Sequence, residues 1–269
     1  MNKKLIAGLL MFAMSYPILG GRSSSAATLV ELPGTSGVWC ERRSGYAITK
    51  EHEIRLTQSL RRVTGFAELH FASDGSLSLG DAPAAEGGSS EARLILMRAV
   101  CAGGIFVIED YSGSGSVNFG QAAQEHVYET RGGRGSDVWR LRLDFEDFRQ
   151  MQASSEVRAA FDEGFTLLHE LLHGLGYKDA VRAPELGECE EVVNRMRSEL
   201  GLPLRDQYFG ETWRITQKLI SVRLRFRSRT RAGSAARGES QYLFFLLSEP
   251  SESSGETRAV TRVDRVFRQ

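Results

Sequence analysis

The sequence lacks several features that would assign it to a class at once. Its 269 residues include three cysteines, six prolines and five histidines, and no apolar run reaches the roughly 20 residues that a membrane-spanning helix needs. Three scattered cysteines are too few for a disulfide scaffold, so a packed core has to supply the stability. No glycine-rich stretch is followed by the Gly-Lys-Ser/Thr of a phosphate-binding loop. These absences exclude a multi-pass membrane protein and a disulfide-stapled miniprotein, and they argue against a P-loop nucleotide-binding protein.

The charge of the chain is balanced overall but unevenly distributed. There are 34 basic and 34 acidic side chains, and the 41% of apolar and 25% of charged residues are close to the average of soluble globular proteins. Residues 212–269 carry twelve basic and five acidic side chains, a net charge of +7, and the rest of the chain is therefore at −7. Because acidic residues interrupt this basic segment and aromatic residues are not placed on its arginine face, we predict no nucleic-acid partner.

The first 26 residues have the three parts of a secretory signal peptide. Two lysines form a positively charged start, residues 5–19 are an apolar stretch, and small residues offer cleavage sites after Gly20 or Ala26. We therefore expect a secreted or periplasmic protein with no stable membrane insertion after cleavage. Export implies an oxidising compartment, and the odd number of cysteines permits one disulfide, whose pairing the sequence leaves open.

The spacing of apolar residues predicts an α+β protein with two regions, a main domain at 27–211 and a basic β-rich segment at 212–269. Helices are predicted at 51–64, 89–101, 155–175 and 186–200. Strands are predicted at 68–71, 77–79, 105–109, 117–119 and 138–145, and in the basic segment at 222–226, 241–247 and 258–267. We therefore expect a small mixed sheet in the main domain and a small meander in the basic segment.

One segment carries a pattern with chemical meaning. Residues 166–179 read TLLHELLHGLGYKD and contain His-Glu-x-x-His. A helix turns about 100° per residue, so His169 and His173 project from one face and can bind one Zn²⁺. Apart from Glu170, no charged residue lies between Gly164 and Tyr177, which is typical of a buried helix that keeps only the charges its chemistry requires. The alternative is a helix with two surface histidines and a glutamate.

The position of Glu170 between the two histidines predicts a hydrolytic reaction. Zinc lowers the pKa of a bound water to about 7, and Glu170 is close enough in the helix to take the proton of that water. The resulting hydroxide can attack a carbonyl that the metal polarises, and Glu170 can pass the proton to the leaving amine. We therefore expect Glu170 to be the general base of a zinc-dependent endopeptidase.

The extended segment HELLHGLGYKD resembles the zincin metallopeptidases, in particular the metzincin-type pattern H-E-x-x-H-x-x-G-x-x-H/D. In that pattern a glycine turns the chain after the second histidine, and the third zinc ligand follows three residues later. The resemblance implies a turn at Gly176 and makes Asp179 the third ligand. Otherwise Asp179 would be a solvated turn residue.

A second, broader resemblance covers roughly residues 50–210. The stretch 185–208, with its acidic helix followed by Glu-Leu-Gly-Leu-Pro-Leu-Arg, is similar to the region after H-E-x-x-H in bacterial effector- and toxin-associated zinc proteases. This resemblance makes a glutamate of that helix (Glu188, Glu190 or Glu191) the competing third ligand. The alternative for all three is an acidic, solvated helix face.

The sequence thus favours an exported zinc-dependent endopeptidase that acts on a protein or peptide, with Zn²⁺ as its cofactor. An oxyanion stabiliser is expected near the metal, and Tyr177, Tyr208 and His126 are the candidates. Two further hypotheses remain. One is a non-catalytic exported protein with a structural zinc site, and the other is a toxin or effector protease with one specific protein target.

Overall fold

The computed structural model describes residues 36–80, 85–101, 103–128, 135–217, 219–228 and 239–248. Within these ranges the chain forms six helices and ten strands in three sheets, which confirms the predicted α+β class. The predicted signal peptide at 1–26 and the predicted strand at 258–267 lie outside the described residues. In the described part, every helix is too short or too polar to cross a bilayer.

Most of the predicted helices and strands are present, but five further elements, at 37–40, 120–128, 145–150, 204–205 and 211–214, were not predicted. The helices are α1 (Lys50–Thr64), α2 (Ser90–Cys101), α3 (Phe145–Gln150), α4 (Ser155–Ala160), α5 (Glu163–Gly174) and α6 (Gly187–Glu199). The strands are β1 (Gly37–Cys40), β2 (His70–Phe71), β3 (Leu77–Ser78), β4 (Ile105–Asp110), β5 (Gly120–Tyr128), β6 (Gly135–Leu143), β7 (Leu204–Arg205), β8 (Glu211–Arg214), β9 (Leu219–Arg227) and β10 (Ser240–Ser248).

The first sheet is small and mixed, as predicted. Its strand order is β1-β4-β6-β5, with β1, β4 and β6 parallel and β5 antiparallel at the edge. Five of the six residues of β4 are buried, which explains its nearly continuous apolar sequence. Phe106 and Ile108 of β4 belong to the main core, whereas Ile105 and Val107 form a small cluster on the opposite face.

Helix α5 is the central element of the main core. It contacts α1, α2, α6, β5 and β6, and ten of its twelve residues are buried. Its apolar side chains Phe165, Leu168 and Leu172 are almost completely excluded from solvent, and each such burial stabilises the fold by roughly 1.5–3 kcal/mol. The helix that carries the His-Glu-x-x-His pattern is therefore held in place on several sides.

The predicted single helix at 155–175 was wrong, because the chain breaks between α4 and α5. Phe161 has φ −143° and ψ 81°, and Asp162 caps α5 by accepting a hydrogen bond from the N–H of Phe165 at 3.2 Å. A side chain at position 164 would collide with Ser59 of α1, so Gly164 allows α5 to pack closely there. The N-cap at Asp162 and the close contact between α5 and α1 therefore stabilise a new helix start in place of one continuous helix.

The predicted strand at 117–119 was also wrong, and the neighbouring strand β5 was missed. Val117 and Phe119 are buried in a loop, and the strand starts at Gly120. Strand β5 reads GQAAQEHVY and lacks a clear period-two pattern of large apolar residues. Its pairing with β6 determines its structure, and that pairing is not visible in the local sequence.

The second sheet joins the C-terminal segment to the main domain. Strand β9 pairs with β10 on one side and with β7 and β8 on the other. The predicted alternation in β9 is confirmed, since Val222, Leu224 and Phe226 are buried. They pack in a second core with Phe119 and Phe161 of the main domain.

The opposite face of the second sheet combines arginines with aromatic side chains. Tyr242 pairs with Arg225 in the strand register, and the guanidinium of Arg223 lies 4.7 Å from the centre of the Tyr242 ring. The expectation that no aromatic residue shares the arginine face was therefore wrong. The face that β10 presents depends on its register with β9, which the sequence alone does not reveal. Arg223 also pairs with Glu211.

Candidate metal centre

Helix α5 presents two histidines side by side. His169 and His173 lie one turn apart, and their ring centroids are separated by 5.3 Å. Nε2 of His169 lies 3.1 Å from Oδ1 of Asp179, and Nε2 of His173 lies 3.3 Å from Oδ2 of the same carboxylate. The structure therefore brings the two histidines of the motif and Asp179 into one cluster.

Asp179 reaches this cluster because the chain turns back directly after α5. The N–H of Tyr177 bonds back to the helix at 3.0 Å, and Gly176 has a φ of 93°, which residues with side chains rarely adopt. Asp179 then forms a backbone bridge with Gly187 at the start of α6. The loop is thus anchored at both ends, and the carboxylate of Asp179 is held over α5.

The contacts of Asp179 fit a shared metal ligand better than a hydrogen-bonded carboxylate. Its Oδ1 is buried and has no hydrogen-bond partner, although Nε2 of His169 lies within 3.1 Å. Two buried polar groups this close without a well-aligned hydrogen bond are costly, and a cation bound by both would remove that cost. His169, His173, Asp179 and Cys189 each offer one ligand atom, all within 4.8 Å of one another. This cluster can hold a metal ion.

The electrostatics of the cluster are dominated by its carboxylates. Burial favours the neutral imidazole, but Asp179 and Glu190 outweigh that effect and raise the pKa of His169 to about 10. Burial likewise opposes ionisation of Asp179, yet the two histidines hold its pKa well below the usual range. In the metal-free protein these shifts favour a proton on the imidazoles beside the ionised Asp179, and a bound cation would take the place of that proton.

The outer nitrogen of each histidine faces one of two consecutive residues of α6. Nδ1 of His169 lies 3.6 Å from Oε2 of Glu190, and Nδ1 of His173 lies 3.8 Å from Sγ of Cys189. Burial, followed by the nearby carboxylates, raises the pKa of the Cys189 thiol far above its usual range. No local pattern in the sequence indicates Cys189, since its proximity to His173 depends on how α6 packs against α5.

The competing glutamates of α6 have other contacts. Although burial opposes ionisation of Glu190, its ion pairs with Arg197 and Arg205 hold its pKa well below the usual range. Glu188 is exposed and accepts a hydrogen bond from the backbone of Lys178, and Glu191 is exposed. Of the four predicted third ligands, Asp179 is the one that faces Nε2 of both histidines.

Glu170 is buried next to the two histidines. One of its carboxylate oxygens, Oε2, lies 3.9 Å from Nε2 of His173. Burial raises the pKa of Glu170, while the charges of His169 and His173 and the backbone N–H of Ala122 oppose this rise. This carboxylate binds a proton more tightly than an exposed one would, and it lies beside the cluster of potential metal ligands. It is therefore suited to proton transfer.

Among the predicted oxyanion stabilisers, Tyr208 is the one that reaches the cluster. Its hydroxyl donates a 2.7 Å hydrogen bond to Oδ2 of Asp179, and its ring is nearly parallel to that of His169, with centroids 6.0 Å apart. The hydroxyl of Tyr177 instead accepts a hydrogen bond from Arg98. The side chain of His126 lies outside the described residues.

The cluster opens into a cleft of about 70 Å³ that both cores help to form. Its apolar wall includes Phe119, Phe161, Phe165 and Leu224. Its polar wall includes His169, Glu170, His173 and Asp179. Comparison with family models, curated proteins and solved structures found no match for the chain. The functional assignment therefore depends on the chemistry of this site.

Proposed function

We propose that the protein is an exported zinc-dependent endopeptidase with a zincin-like site. The observation that carries the proposal is the shared Asp179 carboxylate, whose two oxygens face Nε2 of His169 and Nε2 of His173. Oδ1 has no hydrogen-bond partner although it is buried. This arrangement supports three protein ligands around one cation, the number that catalytic zinc sites use.

The donor set favours zinc over other common metals. Two imidazole nitrogens and one carboxylate oxygen suit Zn²⁺, whereas Mg²⁺ and Ca²⁺ prefer oxygen ligands throughout. Glu190 and Tyr208 would orient the ligands, since Glu190 lies beside Nδ1 of His169 and the Tyr208 hydroxyl donates to Oδ2 of Asp179. His169, His173 and Asp179 would thus hold the zinc ion.

The proposed reaction uses Glu170 as the general base. When bound, zinc supplies a Lewis acid that polarises a carbonyl group and acidifies a water molecule. Glu170 would accept the proton of the attacking water and then deliver it to the amine that leaves. Because its carboxylate is buried, Glu170 holds that proton more tightly than a solvated glutamate would, which suits transfer near neutral pH.

Export and the partners of the protein remain proposals from the sequence. The signal-like start supports a secreted or periplasmic location, and the open cleft beside Glu170 supports a protein or peptide substrate. Arg223 pairs with Glu211, and Arg225 and Arg227 both pair with Asp206. These ion pairs support the expectation that the basic segment does not bind nucleic acid. The aromatic side chains beside the arginines do not support that expectation.

One observation favours a second candidate, a structural zinc site. Cys189 Sγ belongs to the same cluster of potential ligands as Asp179 and the histidines, and a fourth protein ligand would close the site. In the structure, however, Cys189 contacts Nδ1 of His173, whereas Asp179 contacts Nε2 of that ring. We therefore rank the open, catalytic site first.

Metal content and peptide cleavage of Glu170→Gln beside wild type test the proposal. The wild type should contain about one zinc per chain and cleave a mixed peptide library. Glu170→Gln should keep the zinc and lose cleavage by at least about 100-fold, because general-base catalysis contributes about that much. Glu191→Gln, which alters an exposed carboxylate of α6, is the matched control and should behave as wild type.

Each other result has a distinct meaning. A protein without zinc contradicts the metal centre, and full cleavage by Glu170→Gln contradicts the assigned base. Zinc in both proteins without any cleavage supports the structural site. Cleavage of a single protein target, with none of the library, supports the toxin or effector protease.

A further inference from the structure

The edge strand β5 approaches α5 at a residue that has no side chain. A Cβ atom at position 120 would lie 2.6 Å from Cγ2 of Thr166, and 3.0 and 3.2 Å from Oε1 and Cγ of Glu170. Thr166 and Glu170 are one helical turn apart and therefore occupy the same face of α5. At Gly120 the strand is thus packed directly against the proposed general base.

The requirement at Gly120 is one of space and not of backbone conformation. Gly120 does not have the positive φ that several other glycines of the described chain adopt. An alanine could therefore take up the same backbone angles. The atoms that it would meet belong to two side chains of α5 that are themselves buried. Only glycine allows this approach without a shift of the strand, of Thr166 or of Glu170.

The start of β5 is held too firmly to yield. Phe119 has a φ of 60°, its N–H donates to Asp147 at 2.9 Å, and its carbonyl accepts from the N–H of Asp144 at 3.0 Å. Its ring makes edge contacts with Phe161 and Phe245 at 4.9 and 4.8 Å between centroids. Both the backbone and the side chain before Gly120 are therefore fixed.

Two residues further along β5, Ala122 lines the same cleft as Glu170, and its backbone N–H lowers the pKa of the Glu170 carboxylate. This contact requires the strand to lie close to α5, and Gly120 permits that distance. We propose that Gly120 is a positioning residue for Glu170. Its bare Cα allows β5 to approach until the Ala122 amide and the strand backbone set the direction in which the carboxylate faces the cleft. The inference rests on the proposed role of Glu170 as general base.

Gly120→Ala should lower kcat by roughly 10- to 100-fold, because a catalytic group displaced by about 1 Å loses that much. KM should stay within about twofold, and the dissociation constant for zinc, measured by competition with a chelator, should not change because Glu170 is not a ligand. Gly45→Ala is the matched control. An added Cβ at Gly45 meets no atom within 4 Å, so this variant should behave as wild type.

A double variant separates positioning from simple loss of packing. Gly120→Ala combined with Thr166→Ser lacks the Cγ2 methyl that the new Cβ would meet first, whereas the contact with Glu170 remains. The melting temperature should therefore recover relative to Gly120→Ala, while kcat stays low. Recovery of kcat together with stability would overturn the inference.

The backbone amide of Ala122 provides a readout that does not depend on catalysis. In ¹⁵N–¹H spectra of the zinc-loaded protein, its resonance should shift in the same direction in Gly120→Ala and in Glu170→Gln, and should not move in Gly45→Ala. An unchanged resonance together with unchanged kcat in Gly120→Ala overturns the inference but leaves the proposed function intact. Wild-type cleavage that does not depend on Glu170 overturns both.

Discussion

Each proposed zinc ligand has a further contact with a side chain that is not one of the three ligands. Glu190 faces His169, Cys189 faces His173, and the Tyr208 hydroxyl donates to Asp179. Such outer contacts orient the ligand atoms before the metal arrives, so that less conformational freedom is lost on binding. The contact of Tyr208 is the shortest of the three, a 2.7 Å hydrogen bond to a carboxylate.

At the residue scale, we predict that Tyr208→Phe weakens zinc binding by about tenfold or more, the usual effect of losing an outer contact of a ligand. The ring can keep its place beside His169, so the melting temperature of the metal-free protein should change little. Competition with a chelator measures the affinity. Tyr177→Phe, which removes a hydroxyl that contacts Arg98, should leave it unchanged. Equal affinities of both variants would contradict the role of Tyr208.

At the scale of elements, the N-terminus of α3 connects to the start of β5 through a carboxyl group. Asp147 accepts a hydrogen bond from the N–H of Phe119. Burial, together with the nearby charge of Asp144, raises the pKa of Asp147 from its ordinary value of 3.8 to about 7. The native state therefore holds a proton on Asp147 at a pH where the unfolded chain has released it.

This shift predicts that stability falls as the pH rises from about 4 to about 7. In that range the folded protein binds more protons than the unfolded chain, so the free energy of unfolding decreases, by at most about 1.4 kcal/mol per pH unit for one group. Asp147→Asn keeps an acceptor oxygen for Phe119 but cannot ionise. Urea unfolding at pH 5 and pH 7.5 should show a smaller loss of stability for the variant, and an equal loss would contradict the assignment.

At the scale of the whole molecule, a buried group of three charges joins α6 to the C-terminal sheet. Glu190 pairs with Arg197 and Arg205. Arg197 also donates to the carbonyl of Ala160 at 2.7 Å, and Arg205 belongs to β7, which pairs with β9. The α6 helix, the break before α5 and the C-terminal sheet therefore meet at one carboxylate, directly behind His169.

Glu190→Gln should consequently destabilise the protein by about 3–5 kcal/mol, because it leaves two buried arginines without their counter-charge. Denaturant unfolding of the metal-free protein measures this loss, with Glu191→Gln as the control for an exposed glutamate of the same helix. A loss below about 1 kcal/mol would show that the arginines find other partners, and that this group does not hold α6 to the C-terminal sheet.

The sequence alone determined the local features of the fold and of the candidate site. Helical spacing placed His169 and His173 on one face, the apolar run predicted β4, and the resemblance to the metzincin-type pattern implied the turn at Gly176 that brings Asp179 back. These features depend on residues a few positions apart, whose relative positions are set by the geometry of one helix, strand or turn.

Only the tertiary structure decided which elements meet at the site. The contacts of Cys189 and Glu190 with the histidines, the choice of Tyr208 over Tyr177, and the approach of Gly120 to Glu170 all join segments far apart in the chain. The break before α5 and the arginine–aromatic face of β9 and β10 have the same origin. Strand register and helix packing are set by the total burial of many side chains, so no local pattern reveals them.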